Sequence, residues 1–315
     1  MKKVAVFAVK GGVGKSTVSA GLCRGLTELG FYDHVGYLEI DISGTSGHRA
    51  FGMEAPRLGL DTESEKLIPP LINGIRMFPL ASKFTESACV GWQSNDRVFK
   101  LSDGDEVNAK GRTDFIKAIL TKVVDWKDTD WLVMDLPPSS NEETFTFFEC
   151  IPDLYGVVLV SQPSEIACVG LLKTIDFLKN EQVPVLGIVE NMAACLCPYC
   201  NKEFYPFTSK GVDLKKLAKD RDIPYLLSIP QVDSMEKLEP YFLSLAKMVV
   251  AGPGKVVDQY VFSKRAQLKR SVVKTTLGFG ARILPKKPKT HTKGYRLFGK
   301  TVGKILARVK RIFKR

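Results

Sequence analysis

Apolar positions along the chain follow two periods that take turns. Residues 4–9 form an unbroken apolar run, too short for a helix and bounded by glycine, and read as a buried strand. Residues 16–29 switch to helical spacing and end at Gly30, which suits a left-handed helix terminus. Residues 35–40 read as a second strand and 76–80 as a weaker one. Residues 114–124 carry Phe115, Ile116, Ile119, Leu120 and Val123 at helical intervals. Strands follow at 131–134, 156–160 and 184–189, with a helix over 169–178 between the last two. This alternation predicts an α/β fold: a doubly wound, mostly parallel sheet flanked by helices. Ligands of such sheets bind beyond the carboxyl ends of the strands. Residues 84–112 break the pattern and read as an irregular excursion.

Length and composition fit that picture. The chain has 315 residues, 44% hydrophobic and 25% charged, enough for one large α/β domain or two small ones. Seven cysteines are too sparse for a disulfide scaffold; the odd count, with no secretory leader at the start, predicts a reducing, cytoplasmic setting. No run of 18 apolar residues occurs, so no transmembrane helix is expected.

The net charge of +12 is unevenly spread. Residues 251–315 hold 19 Lys and Arg against one acid, Asp258, a net of +18 that leaves −6 for residues 1–250. We divide the chain accordingly into a body (1–250), a basic linker (251–293) and a terminal stretch (294–315). In the last, Phe298, Val302, Ile305, Leu306, Val309, Ile312 and Phe313 fall within a sector of roughly 120°. Lys and Arg occupy the other side. This is the pattern of a basic amphipathic helix. An anionic membrane surface, a docking site on a partner or on the body, and nucleic acid are its three candidate ligands. Nucleic acid is the least favoured, because few aromatics interleave the charges.

The first strand runs into Lys10-Gly11-Gly12-Val13-Gly14-Lys15-Ser16-Thr17. Glycines there let backbone N–H groups wrap phosphate oxygens at a helix N-terminus. Lys15 can reach the β and γ phosphates, and the Ser16 hydroxyl can serve Mg²⁺. Asp41 and Asp135 each end a predicted strand, where a phosphate site needs acids. No Asn-Lys-x-Asp guanine motif is present, so ATP is favoured over GTP.

Lys10, placed early in Lys-Gly-Gly-Val-Gly-Lys-Ser-Thr, resembles the deviant Walker A signature of the MinD/ParA superfamily. The resemblance implies a P-loop NTPase that forms a homodimer on ATP, with Lys10 reaching the partner's phosphates. It also implies Asp41 as the switch I aspartate, Asp135 as the Walker B acid and Asn191 as an adenine contact.

Cys197-Pro198-Tyr199-Cys200 follows the last of these strands. Two thiolates at this spacing can grip a metal or a cluster from one side. The same spacing serves glutaredoxin-type redox chemistry, which normally sits early in a small fold. One chain offers only these two and Cys195, so a four-cysteine site for Zn²⁺ or a cluster would need two chains. Ordinary loop cysteines are the remaining reading. Cys23, Cys89, Cys150 and Cys168 lack metal spacing and read as small buried apolar residues.

Glu190-Asn191-Met192 before the Cys-Pro-x-Cys, Asp135-Leu136-Pro137-Pro138, Gln162-Pro163, Tyr205-Pro206-Phe207, Gly211 and Ser228-Ile229-Pro230 together resemble the Mrp/ApbC/NUBP family of iron–sulfur carrier ATPases, over about residues 1–250. The resemblance implies that Cys197 and Cys200 of two subunits hold a labile [4Fe–4S] cluster for delivery to apoproteins. Its alternative is a MinD/ParA-like positioning or membrane-recruited ATPase, with zinc or nothing on the cysteines. The chain departs from the family pattern at Ser139-Ser140-Asn141-Glu142 and Gly44-Thr45-Ser46, both in switch regions, which bears on the hydrolysis rate. The four-cysteine N-terminal extension of the eukaryotic cytosolic branch has no counterpart before the P-loop.

Overall fold

A computed structural model of the chain describes residues 1–8, 10–41, 47–61, 63–64, 66–79, 98–100, 106–108, 119–138, 144, 147–148, 151, 153–197, 199–200 and 202–252. The central sheet has nine strands. They are β1 (Lys2–Phe7), β2 (Val35–Glu39), β3 (Leu71–Ile72), β4 (Ile75–Phe78), β5 (Trp131–Asp135), β6 (Leu154–Ser161), β7 (Val185–Leu196), β8 (Glu203–Phe204) and β9 (Tyr225–Gln231). Their spatial order is β8-β7-β6-β1-β5-β2-β4-β3, with β9 also on β7. The pairs from β4 through β2, β5, β1, β6 and β7 to β9 are all parallel; β3 and β8 add antiparallel pairs at the ends. Among the described residues four α-helices accompany it: α1 (Lys15–Leu26), α2 (Glu165–Asn180), α3 (Leu214–Asp220) and α4 (Glu239–Ala251).

The unbroken apolar runs have a direct cause: the strands are buried on both faces. In β1, Val4 and Val6 point into the core under α1 and α4, while Ala5 and Phe7 point into the core under α2 and α3. β5 repeats the alternation, with Trp131 and Val133 on the first face and Leu132 and Met134 on the second. Helices α1 and α4 approach closely because α1 carries glycine at the contact. A Cβ on Gly21 would lie 2.1 Å from the Phe242 ring, and one on Gly25 would lie 2.3 Å from the Phe242 carbonyl oxygen. Substituting either would push the helices apart.

The strands predicted from pattern are all present, most within a few residues of their expected bounds; the one expected at 184–189 runs on to Leu196. The helix expected at 169–178 begins earlier, at Glu165, because Ser164 caps it through Ala167 N at 3.4 Å. α1 stops at Leu26 and continues as a wide π-helical turn, Thr27–Phe31, in which Gly30 adopts φ 101°. Of the helix expected over 114–124, Ile119–Val123 is described, also as a π-helical turn. Within the irregular 84–112, Val98–Lys100 and Glu106–Asn108 pair as a small antiparallel hairpin. α3, α4, β8 and β9 had no counterpart in the sequence reading. Cys89, Cys150, residues 139–142 and 42–46, and the whole of 253–315 lie outside the described residues. Among those described, no helix is long and apolar enough to cross a membrane.

Candidate functional site

The glycine-rich loop joins the carboxyl end of β1 to α1. Gly12 and Gly14 have φ of 78° and 84°, values that L side chains rarely adopt, and this turns the chain sharply into the helix. Gly14 stands at the N-cap position with no side-chain cap, so the first N–H groups of α1 keep their donor capacity. Lys10, Gly11 and Gly12 are exposed, Val13 and Lys15 buried, and Ser16 and Thr17 half-buried. The expected phosphate-facing residues therefore share one turn at the end of a central strand.

Asp135 closes β5, the strand next to β1, and is wholly inaccessible to solvent. Its Oδ1 accepts from Lys15 Nζ and from Ser19 Oγ at 3.3 Å; its Oδ2 accepts from Tyr37 OH at 3.2 Å. Burial and the neighbouring Asp135 charge push the Tyr37 phenol well above its usual range, so it stays a hydrogen-bond donor. Asp41 follows β2 on the other side of β5 and is half-buried; the Ile40 N–H donates to the Asp135 carbonyl at 2.9 Å. Between them Glu39 is buried and accepts from the Gly47 N–H at 2.7 Å. Sequence reasoning missed Ser19, Tyr37 and Glu39. The signal was present for Glu39 and Tyr37: an acid and a phenol inside a five-residue strand buried on both faces must have internal partners.

Asn191 lies on β7, is buried, and donates Nδ2 to the Val13 carbonyl at 2.8 Å. A Cβ on Gly14 would sit 2.1 Å from that amide nitrogen. The residue assigned by resemblance to adenine thus braces the phosphate loop itself. The next residue, Met192, has φ 56° and its sulfur accepts from Gln162 Nε2 at 2.8 Å.

β7 runs on from Asn191 to the cysteines. Cys195 and Leu196 pair antiparallel with Phe204 and Glu203, and the Cys197 N–H donates to the Lys202 carbonyl at 3.0 Å. Cys197 and Cys200 therefore occupy the tip of a tight hairpin, half-buried and exposed respectively. N–H groups of Tyr199 and Cys200, then the Cys200 thiol, hold the Cys197 thiol below its ordinary range. Cys195 behaves differently: its sulfur contacts Gln231 Oε1 at 3.5 Å. Among the described residues no cluster of three or more His, Cys, Asp or Glu could hold a metal ion within one chain. Cys23 and Cys168 are buried, as expected, and burial raises both thiols. Around the hairpin Tyr199 is 96% exposed, and Phe204, Tyr205 and Phe207 are also exposed.

Known proteins resemble the chain over this same region. A family model described as the NUBPL iron-transfer P-loop NTPase, of the ParA group, matches residues 1–242. An iron-sulfur cluster carrier protein of Methanocaldococcus jannaschii is 31% identical over 230 residues, 72% of each chain. A cytosolic Fe-S cluster assembly factor, the Nubp2 homolog of Aedes aegypti, is 34% identical over 72% of this chain and 82% of its own length. Among solved structures, a nucleotide-binding protein from Archaeoglobus fulgidus in complex with ADP superposes with TM-score 0.56 at 28% identity. The match covers 78% of this chain and 88% of that one. The cell division ATPase MinD of Pyrococcus furiosus superposes with TM-score 0.51 at 15% identity, covering 79% and 98%, a likeness of fold.

Proposed function

The chain belongs to the NUBPL-type iron-transfer P-loop NTPases, and from that premise we propose that it is a cytosolic homodimeric ATPase that carries a [4Fe–4S] cluster to apoproteins. One observation carries the proposal. The cysteine pair stands at an exposed hairpin tip with a thiol already biased toward thiolate, on the strand whose Asn191 touches the phosphate loop.

In this reading Cys197 and Cys200 of each protomer supply four thiolates to the cluster, which is the cargo. A single chain supplies two, so the site is completed by a second copy. The exposed aromatics around the hairpin support a contact there. In this reading the body of 1–250 acts as the ATPase, with 251–293 a basic linker and 294–315 a basic segment for an anionic membrane surface or a protein partner.

ATP would lie on Gly11, Gly12, Val13, Gly14, Lys15, Ser16 and Thr17, with phosphate oxygens on the free N–H groups of α1. Lys15 would leave Asp135 for the β and γ phosphates, and exposed Lys10 would reach those of the partner. Asp41 would orient the attacking water, whose oxygen bonds to the γ-phosphorus as the bond to ADP breaks. The donor set near the loop fits Mg²⁺: the Ser16 hydroxyl and the Asp135 carboxylate offer oxygen, and this ion keeps water and phosphate for its other positions. When bound, Mg²⁺ neutralises charge on the β and γ phosphates. Asn191 bears on both sites at once, since it touches the phosphate loop and lies on the strand that leads to Cys197.

Anaerobic reconstitution with iron and sulfide tests the proposal. Wild type is expected to hold about four irons and four sulfides per dimer with a broad band near ~400 nm, lost in Cys197→Ala/Cys200→Ala. Zinc alone, or no metal, would leave an ATP switch without cargo.

A further inference from the structure

Asp135 is held by donors from two sides. Lys15 and Ser19 of α1 both reach Oδ1, whereas among the described residues only Tyr37 of β2 donates to Oδ2, at 3.2 Å. Tyr37 and Asp135 are both fully buried, so neither can exchange this partner for water.

The phenol is fixed from two directions. Its ring packs edge-on against Phe51 at 4.9 Å. Its oxygen abuts Gly47, where a Cβ would lie 2.0 Å from the hydroxyl and 2.9 Å from Glu39 Oε1. Gly47 is held in turn by its N–H donating to Glu39. Packing alone does not call for this hydroxyl: the side chain lies in the core among Val4, Val6 and Val133, where an apolar residue would serve.

We propose that Tyr37 is a positioning residue for the nucleotide site, its hydroxyl fixing the orientation of the Asp135 carboxylate when Lys15 turns to phosphate. This rests on the reading of Asp135 as the acid that serves Mg²⁺. Lys15 cannot serve a phosphate and keep its place on Asp135 at full strength, so nucleotide binding weakens the main donor on Oδ1. Ser19 is a poor substitute, because its single hydroxyl hydrogen is shared between Asp135 and the Lys15 carbonyl at 3.0 Å. Tyr37 then determines how the carboxylate is turned. Through Gly47 it also ties Asp135 to the helical turn Gly47–Phe51.

The test uses the full chain and a fluorescent ATP analogue, titrated in EDTA and across Mg²⁺ concentrations. Three proteins are compared: wild type, Tyr37→Phe and Asp135→Asn. Tyr37→Phe is expected to bind the metal-free analogue within twofold of wild type. It should need about tenfold more Mg²⁺ to reach the same gain in affinity, as fits loss of one hydrogen bond to a charged group. Its ATP turnover should fall by a similar factor and recover in excess Mg²⁺. A Tyr37→Phe protein with a lower melting temperature and an unchanged Mg²⁺ dependence would overturn the proposal, since the hydroxyl would then serve packing alone. A normal Mg²⁺ dependence in Asp135→Asn would instead remove the reading of Asp135 itself. Should Tyr37→Phe not fold, Gly47→Ala displaces the same hydroxyl from its other side; the selective Mg²⁺ defect is expected there too, and its absence in folded protein overturns the proposal equally.

Discussion

Lys15 and Asp135 are 7% and 0% exposed and their side chains are paired with each other; past Asn191 on the same strand, Cys197 and Cys200 stand at a hairpin tip, half-buried and exposed, where N–H groups of Tyr199 and Cys200 bear on the Cys197 thiol. Both places lie on the carboxyl side of the same sheet. A phosphate site benefits from donors fixed in advance, because their reorganisation would otherwise cost binding and rate. A cargo site must also let go, and open thiols on a hairpin tip suit exchange with another protein. If the proposed roles hold, one fold separates the part that must be rigid from the part that must be reachable.

The sharpest way to break it is to damage each region alone. Lys15→Ala should lower ATP turnover by about 10²-fold or more, because a cation on the transferring phosphate is lost. It should also remove the partner of a buried carboxylate, a cost of about 3–5 kcal/mol. Iron loading under nucleotide-free reconstitution should survive in whatever folds. Cys197→Ala/Cys200→Ala should do the reverse, with no iron retained and ATP affinity within about twofold of wild type. A cysteine variant that also lost ATP binding would dissolve the distinction. Turnover assays beside iron analysis read both arms.

A smaller effect probes the strand that joins the regions. Asn191→Ala leaves the Val13 carbonyl without its donor in a buried setting, at a cost of about 1–3 kcal/mol. The melting temperature should fall by several degrees and ATP affinity by several-fold. The decisive reading is whether ATP still changes the rate of cluster release. If Asn191 links the sites, release in Asn191→Ala becomes insensitive to ATP. A stability loss with the ATP effect intact would confine Asn191 to bracing the loop.

How much of this was legible beforehand follows from burial. The strands with two buried faces announce themselves as apolar runs, so β1, β2, β5 and β6 were visible, and with them the loop after β1 and the acid after β5. The Asn191 to Cys197 stretch was visible as motifs but not as one strand, because β7 outlasts its apolar run. Past Asn191 its register on β9 shifts, and Cys195 and Leu196 also pair with Phe204 and Glu203 across the hairpin. Nor could α4 be placed: its partner surface is made by two glycines of α1, Gly21 and Gly25, whose meaning depends on Phe242 arriving from more than 200 residues away. Tyr37 announced only that it needs an internal partner, not which one. Its partner, Asp135, is distant in sequence, and only the register of β2 on β5 brings them together.

The gentlest test leaves both sites unmutated and reads their thiols by pH. Cys197 is held low by N–H donors from Tyr199 and Cys200, so its thiolate persists to lower pH than that of an ordinary cysteine. Its alkylation by iodoacetamide should therefore rise with a midpoint below that of an ordinary free thiol such as glutathione, measured alongside. Cys23 and Cys168 shift the opposite way because burial disfavours the charged form, and they should react only when the protein unfolds. The sign also bears on cargo. A lowered pKa means fewer protons to displace on metal binding, so iron loading should persist to lower pH than unshifted thiols would allow. Mass spectrometry of alkylated peptides between pH 6 and 9 measures this. A Cys197 that titrated with the free thiol would mean that the hairpin N–H groups do not favour thiolate, and the exposed region would then differ from the buried one in access alone.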